Sequence, residues 1–161
     1  MRFLLLVLPF LLVTALPSMA GGRRSHDSSI VFHMETDPGA NPKMVFSQFV
    51  AGEERVFSRV PEIGTSDIAA FNPFPSKDGA TYGVVIRLKA GSKNRLAAIT
   101  AANINRWLVA RVNGRVVDAV IIDRQIDDGE LVIWKGLSNA EIKQLDEEYP
   151  RLGEKKPRGK S

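Results

Sequence analysis

The sequence predicts an α+β domain in which two helices pack on one face of a mostly antiparallel sheet. Stretches rich in β-branched and aromatic residues recur through the body of the chain, separated by Gly, Pro, Asn and Asp. Two stretches in the C-terminal half have apolar residues at helical spacing. An Asn-Gly pair between two of the β runs favours a tight hairpin, which makes antiparallel neighbours.

The first half of the body contains only β signals. Strands are predicted at residues 29–36, 43–50, 55–60 and 82–88. The second and third of these are joined by the sequence AGEE and form a hairpin. Residues 68–71 favour a further short strand. Because Pro73 and Pro75 lack amide donors, the segment after that strand is predicted to be a sheet edge or a loop.

A helix is predicted at residues 92–103, after the last of these strands. Leu96, Ile99 and Asn103 lie on one helical stripe with alanines around them. Ser92 is the expected N-cap, since its hydroxyl can accept a hydrogen bond from an amide of the first turn. The helix therefore has about three turns.

The stretch WLVARVNGRVVDAVIID, residues 107–123, is the clearest hairpin in the chain. Asn113 and Gly114 both tolerate positive φ, which a type I′ turn needs at its two central positions. A further strand is predicted at residues 130–134, after the acidic turn DRQIDDGE.

The last helix has a clear start signal. Ser138 and Glu141 are spaced as a capping box, and Leu137 can pack on Ile142 as a hydrophobic staple. Pro150 is expected to end the helix. The order of elements is thus several strands, then a helix, a hairpin, a strand and a helix.

The N-terminus predicts export. Residues 1–20 contain one Arg, an unbroken apolar block at residues 3–12 and a final Ser18-Met19-Ala20. This arrangement is typical of a secretory signal peptide, with cleavage after Ala20. We therefore expect a periplasmic or secreted protein.

The net charge of +4 lies in the two ends of the chain. Residues 150–161 contain five Lys or Arg and one Glu, and residues 21–27 contain two Arg and one Asp. Residues 28–149, by contrast, contain 14 basic and 16 acidic side chains. We predict a disordered leader and a disordered basic tail that keep the protein in solution. Weak attraction of the tail to an anionic membrane surface or an acidic partner is the alternative interpretation. The charge of the body argues against a nucleic-acid partner.

The chain contains no cysteine. A disulfide therefore cannot stabilise the exported protein, and its stability must come from a packed core. Residues 28–149 are long enough for one such core, so we expect a single domain there.

Residues 82–147 resemble the head of the first periplasmic domain of the protein-export membrane protein SecD. Thr100 and Asn103 match the helix of that family, and residues 108–116 match its hairpin. The opening of the last helix matches at Gly136, Leu137, Ser138 and Ala140. The resemblance implies an α+β fold and a tendency to contact polypeptides. It implies nothing about energy coupling, because SecD is a multi-span membrane protein.

No catalytic motif is present. The two histidines are His26, in the leader, and His33, between Phe32 and Met34 in the first predicted strand. A general base needs a positioned partner, so we interpret His33 as a hydrogen-bonded structural residue. The sequence has no GxSxG elbow, no HExxH helix and no phosphate-binding loop. We predict a protein that is not an enzyme and has no cofactor.

Four carboxylates lie close together before the last strand, at Asp123, Asp127, Asp128 and Glu130. Calcium favours clustered oxygen ligands, so a small ion- or ligand-binding protein is the alternative interpretation. The spacing departs from that of the EF-hand loop, and Asp-Asp-Gly suits a turn whose side chains bond their own backbone. We therefore predict no metal site.

The cluster FNPFP contains the candidate partner-binding residues, Phe71 and Phe74. These rings could form an exposed platform for a peptide, or they could pack beneath the loop into the core. A nearby sheet edge could instead take up an extended peptide as an added strand. We expect an exported, soluble, non-enzymatic domain that binds a polypeptide or another protein of the bacterial envelope.

Overall fold

A computed structural model describes residues 29–154. The elements, in chain order, are β1 (Ile30–Met34), a 3₁₀ turn (Pro42–Met44), β2 (Val45–Val50), β3 (Glu53–Ser58), a second 3₁₀ turn (Thr65–Asp67), β4 (Ile68–Pro75), β5 (Tyr82–Leu88), α1 (Ala90–Ala102), β6 (Trp107–Val112), β7 (Arg115–Ile121), β8 (Glu130–Leu137) and α2 (Asn139–Glu148). The predicted α+β class is confirmed. The predicted signal peptide, the leader and residues 155–161 lie outside the described residues. Between residues 29 and 154, neither helix is long and apolar enough to cross a membrane.

The strands form three sheets, in the orders β1-β6-β7, β2-β3 and β4-β5-β8. Every ladder is antiparallel, as predicted. The expected continuous sheet divides between β7 and β8, where the Asp118 carboxylate accepts a hydrogen bond from the Trp134 amide at 2.7 Å. Gly136 lets the two strands approach, since a Cβ there would lie 3.0 Å from Cβ of Val117.

The main core lies between the helices and the inner faces of the two three-stranded sheets. Leu96 of α1 and Leu145 of α2 are both buried in it, together with Ile86 and Ile133 of the β4-β5-β8 sheet. Each such aliphatic side chain contributes about 1.5–3 kcal/mol by leaving water. Both helices therefore cover the same side of the strands, as predicted.

A second, smaller core lies on the other face of the β1-β6-β7 sheet. Phe57 of the β2-β3 hairpin packs there with Val109 of β6, and Phe46 and Trp107 lie around them. Because side chains alternate along a strand, Val109 faces the hairpin while its neighbour Leu108 faces the helices. The hairpin is thus a cover for one face of this sheet.

Both predicted hairpins are present. Asn113 and Gly114 have φ values of 50° and 79°, as the type I′ turn requires. The loop between β2 and β3 is shorter than predicted, because Ala51 and Gly52 alone make the turn with φ values of 52° and 87°. Pairing therefore resumes at Glu53, and β3 begins two residues before the predicted start.

Helix α1 begins at Ala90 with Lys89 as N-cap, so the prediction of Ser92 as the cap is wrong. The Ser92 hydroxyl instead donates to Asp67 at 2.7 Å, and the Arg95 guanidinium donates to the same carboxylate at 2.6 Å. Burial alone would raise the pKa of Asp67, but these bonds and one from a backbone amide outweigh it and lower the pKa. The Ser92 side chain, which the local pattern predicted to cap the helix, makes a tertiary hydrogen bond to Asp67 instead.

Helix α2 starts as predicted. The Glu141 amide donates to the Ser138 hydroxyl at 3.3 Å, and the Ser138 amide donates to the Glu141 carboxylate at 2.8 Å. Leu137 and Ile142 are both buried on either side of this capping box.

Residues 150–152, which composition placed in the tail, continue the fold. The Phe71 amide donates to the carbonyl of Pro150 at 3.2 Å, and the Leu152 amide donates to the carbonyl of Phe71 at 2.9 Å. These bonds form a parallel bridge between β4 and Arg151. The segment therefore covers the first half of the outer edge of β4.

Candidate polypeptide-binding surface

The outer face of the β4-β5-β8 sheet carries an aromatic pair. Phe71, Ile86 and Ile133 point toward the helices and are fully buried. Phe74 and Trp134 lie on the opposite face, and Trp134 is 57% exposed. Trp134 is therefore more exposed than tryptophans in folded proteins usually are.

Gly83 makes room for this pair. It lies directly opposite Phe74 in the register of β4 and β5. A Cβ at Gly83 would collide with the Phe74 ring and would lie 2.7 Å from the carbonyl oxygen of Ile133. The ring therefore lies across the central strand and reaches β8, where its centroid is 6.0 Å from that of Trp134 in an edge-to-face arrangement.

A groove of about 660 Å³ opens beside the two rings. Most of the surface exposed inside it is apolar. It is lined by Phe74, Pro75, Ser76, Lys77, Asp78, Trp134 and Lys135. We call it the aromatic groove. Its volume is within the range of sites that hold small ligands, about 300–1,000 Å³.

One rim of the aromatic groove is a rigid turn. The Asp78 carboxylate accepts hydrogen bonds from the Thr81 hydroxyl and amide and from the Ala80 amide. These bonds, the one from the hydroxyl first, lower the pKa of Asp78 to about 2. The Ser76 amide closes the turn by donating to the Thr81 carbonyl at 3.0 Å. The rim thus presents a fixed negative charge next to Lys77 except in strong acid.

Of the two candidate residues from the sequence, only Phe74 lines the groove. Phe71 is fully buried, and the Arg151 guanidinium lies 4.7 Å from the centre of its ring. Phe71 therefore fills the core, whereas Phe74 faces the side on which a partner could bind.

The edge of β4 is poorly suited to strand addition. Phe71 directs its amide and carbonyl outward, to residues 150 and 152. Because this direction repeats every second residue, Pro73 and Pro75 also direct their backbone outward, and neither has an N–H group. The prediction of a sheet edge here is confirmed, but beyond Phe71 the edge has no amide to offer an added strand.

The acidic turn before β8 is held by its own side chains. Asp128 accepts a hydrogen bond from the Glu130 amide at 2.9 Å, as in an Asx turn. Glu130 is paired with Arg87 of β5, with 2.7 Å between Nη2 and Oε1. Among residues 29–154, no three His, Cys, Asp or Glu side chains are grouped so that they could hold a metal ion.

His33 is buried between the β1-β6-β7 sheet and the β2-β3 hairpin. Its Nδ1 donates to the carbonyl of Ser58 at 2.8 Å, and its ring meets Phe46 edge-on with 5.2 Å between centroids. Burial lowers the pKa of His33, and the positive charge of Arg111 acts in the same direction. The ring joins hairpin and sheet, which agrees with the structural role inferred from the sequence.

Acidification is expected to destabilise the fold through His33. Its folded-state pKa lies below the ordinary 6.5, so below about pH 6.5 the unfolded chain binds more protons than the folded chain. The free energy of unfolding should therefore fall as pH is lowered from about 7.5 through 6.5 toward the folded-state pKa. Urea unfolding at a series of pH values measures this. The control is His33→Gln, which should flatten the profile in that range; a profile that keeps the wild-type slope would contradict the assignment.

No protein-family model and no curated protein matches the sequence. Solved structures with a similar fold do exist. One, described as the structure and function of a membrane component SecDF that enhances protein export, has a TM-score of 0.54 at 17% identity. That match covers 76% of this chain and 63% of the SecDF chain. A crystal structure of SecDF in a super-membrane-facing form has a TM-score of 0.51 at 18% identity, over 76% of this chain and 19% of that one.

The chain is therefore an α+β domain similar in fold to part of SecDF. The predicted resemblance to the SecD periplasmic domain is confirmed at the level of fold. The aligned 76% of the chain is longer than residues 82–147 and must include N-terminal strands that the sequence comparison left unassigned. The chain spans less than two thirds of either SecDF chain, so only the fold is shared on this basis.

Sequence reasoning missed Trp134 and Gly83. A glycine inside an apolar strand signals close approach of another group, and here that group is the Phe74 ring. Trp134 follows the fully buried Ile133 and so faces the opposite side of β8. The alternation of β8 was therefore a usable signal for Trp134, whereas its pairing with Phe74 required the three-strand register.

Proposed function

We propose that this protein is an exported, non-enzymatic domain of the bacterial envelope that binds extended polypeptides through the aromatic groove. The observation that carries the proposal is the pair of Phe74 and exposed Trp134 beside a mainly apolar groove. The fold is similar to that of SecDF, a membrane component that enhances protein export. A periplasmic location agrees with that likeness.

The chemistry of the groove favours an unfolded or extended apolar segment as its partner. Trp and Phe offer large, stiff contact areas that lose little conformational entropy on binding. A folded protein keeps most of its apolar side chains inside, whereas an unfolded segment exposes them. Lys77, Asp78 and Lys135 surround the groove with charges of both signs, which suits the polar backbone and side chains on either side of an apolar anchor.

Trp134→Ala is expected to weaken binding of an extended apolar peptide about tenfold or more, because a tryptophan that becomes buried by a partner is frequently a hot spot of the interface. Fluorescence anisotropy of a labelled unstructured peptide rich in Leu and Phe measures the affinity. A peptide of equal length with Ser in place of Leu and Phe should bind much more weakly.

The matched control is Ile104→Ala, which truncates another exposed apolar side chain, 40% exposed, outside the groove. It should bind the peptide as the wild type does. Absence of binding by the wild type, or equal losses in the two variants, would rule out the groove as the binding site.

A further inference from the structure

We propose that the protein forms a closed two-fold dimer by pairing β2 with β2 of a second copy. The result is a four-stranded antiparallel sheet in which the two β2 strands are central and the two β3 strands are outermost. This inference rests on the backbone of the β2-β3 hairpin and does not depend on the function proposed for the aromatic groove.

Most strand edges among residues 29–154 are already covered. On β1, the Phe32 amide donates to the carbonyl of Ile63 at 2.8 Å. On β3, the carbonyl of Val56 accepts from the Thr36 amide at 2.8 Å. The edge of β4 is covered by residues 150–152 and then lacks amide donors, and β7 faces β8 across the Asp118 carboxylate. This leaves the outer edge of β2.

The direction of the free backbone groups on β2 follows from the register. Val56 turns its backbone away from β2, toward Thr36, and Val56 is opposite Ser47. Ser47 must therefore turn its amide and carbonyl outward, and so must Val45 and Phe49, two residues away on either side. In the described part of the chain these groups have no backbone partner. Their one side-chain hydrogen bond there is donated by the Gln48 side-chain amide to the Phe49 carbonyl, at 3.4 Å.

These three residues define one best register for self-pairing. With the two-fold axis at Ser47, Ser47 is opposite its own copy and Val45 is opposite Phe49 of the second copy. All three outward positions of each strand then form pairs that exchange two hydrogen bonds each. A shift of the axis by one residue along the strand leaves outward groups of both copies unpaired.

The side chains fit this register. Phe49 is 69% exposed, although it is a large apolar residue on a hairpin. In the dimer it lies across from Val45 of the second copy, and aromatic and β-branched residues are favourable cross-strand neighbours. Dimer formation would thus remove part of the apolar surface of the Phe49 ring from water.

The charge pattern also fits a partner of identical sequence. Residues 44–52, MVFSQFVAG, contain no charged side chain. Self-pairing about Ser47 would place any charge at that position directly against its own copy, which is destabilising. Free edges are usually protected by Lys or Pro; β4 has two prolines, whereas β2 has neither. Because each copy contributes one strand edge to this pairing, self-pairing of β2 closes the assembly at two copies.

The test introduces charges of opposite sign at Ser47, whose side chain is exposed. Light scattering and sedimentation over a concentration series should show a dimer for the wild type. Ser47→Lys and Ser47→Glu alone should each weaken the dimer about tenfold or more, and an equimolar mixture of the two should restore it, because residue 47 of one copy then faces the opposite charge. Ser66→Lys, at another exposed serine, is the matched control and should dimerise like the wild type.

A second measurement does not depend on charge. Since the chain has no cysteine, Ser47→Cys carries a single spin label, and directly opposed residues in antiparallel strands have Cβ atoms roughly 5 Å apart. Pulsed spin-resonance spectroscopy should therefore show a short distance between labels. Circular dichroism should show that all variants are folded. A wild type that stays monomeric at every concentration, a mixture that does not restore the dimer, or a label distance that is long or absent overturns the proposal.

Discussion

Phe71→Ala is expected to lower the free energy of unfolding by about 3–5 kcal/mol. The side chain is fully buried in the main core, and the Arg151 guanidinium covers its ring. Truncation leaves a cavity between β4 and the helices and removes the contact between the ring and Arg151, while the backbone bonds to residues 150 and 152 remain. Urea unfolding followed by far-UV circular dichroism measures the change.

Two controls separate the core role of Phe71 from a role in binding. Phe71→Leu keeps most of the volume and should recover the larger part of the lost stability. Phe74→Ala, on the opposite face of the same strand, should change the stability less and peptide affinity more. If Phe71→Ala were as stable as the wild type yet lost peptide affinity, Phe71 would belong to the binding surface after all.

Gly83→Ala is expected to lower the free energy of unfolding by about 1–3 kcal/mol and to disturb the aromatic groove. The added methyl group would take the place of the Phe74 ring and would lie 2.7 Å from the Ile133 carbonyl oxygen. The ring can swing away, but the backbone of β8 cannot move without disturbing its pairing with β5. Thermal unfolding measures the stability, and tryptophan fluorescence, to which Trp107 also contributes, reports the loss of the contact between Trp134 and Phe74.

Gly91→Ala is the matched control for this substitution. Gly91 lies in α1, and a Cβ at that position has no heavy atom within 4 Å. The same change should leave the stability unchanged or raise it by up to about 0.5 kcal/mol, because alanine is the better helix former and Gly91 lies in the first turn of α1. Equal stability changes at the two positions would mean that the close approach of Phe74 to Gly83 has little energetic importance.

The elements that could be predicted are those specified by adjacent residues. The Asn113-Gly114 turn and the capping box of Ser138 and Glu141 depend on dihedral preferences and on hydrogen bonds within four residues. Each also makes tertiary contacts, such as the bond from the Asn113 side chain to Glu141, but the local pattern is enough to predict it. The sequence pattern and the structure accordingly agree there.

The elements that could not be predicted depend on distant partners. Ser92 is a residue type that commonly caps helices, yet its hydroxyl donates a hydrogen bond to Asp67, 25 residues away. The division of the sheet at Asp118 depends on a side chain replacing a backbone acceptor. Composition also placed residue 150 in a tail, because the prediction had no information that the edge of β4 would pair with it.

The candidate site also depends on features that the local sequence pattern does not reveal. Simple alternation from the buried Ile68 would put Phe71 outside and Phe74 inside. The register of β4 shifts between Ile68 and Ala70, and this irregularity reverses the two faces for the rest of the strand. Sequence alone therefore found the right segment and left open which phenylalanine faces solvent. Trp134 joins the site through a strand more than fifty residues further along the chain.

The alternating prolines of β4 affect how the proposed site would hold a polypeptide. On the proposed function, a polypeptide in the aromatic groove receives no backbone N–H bond from Pro73 or Pro75, so its side chains would provide most of the binding energy. Without a regular ladder of backbone hydrogen bonds, the proposed complex would have no single fixed register, and the bound segment could shift along the groove. Binding without a fixed register would suit a site that accepts polypeptides of different sequence.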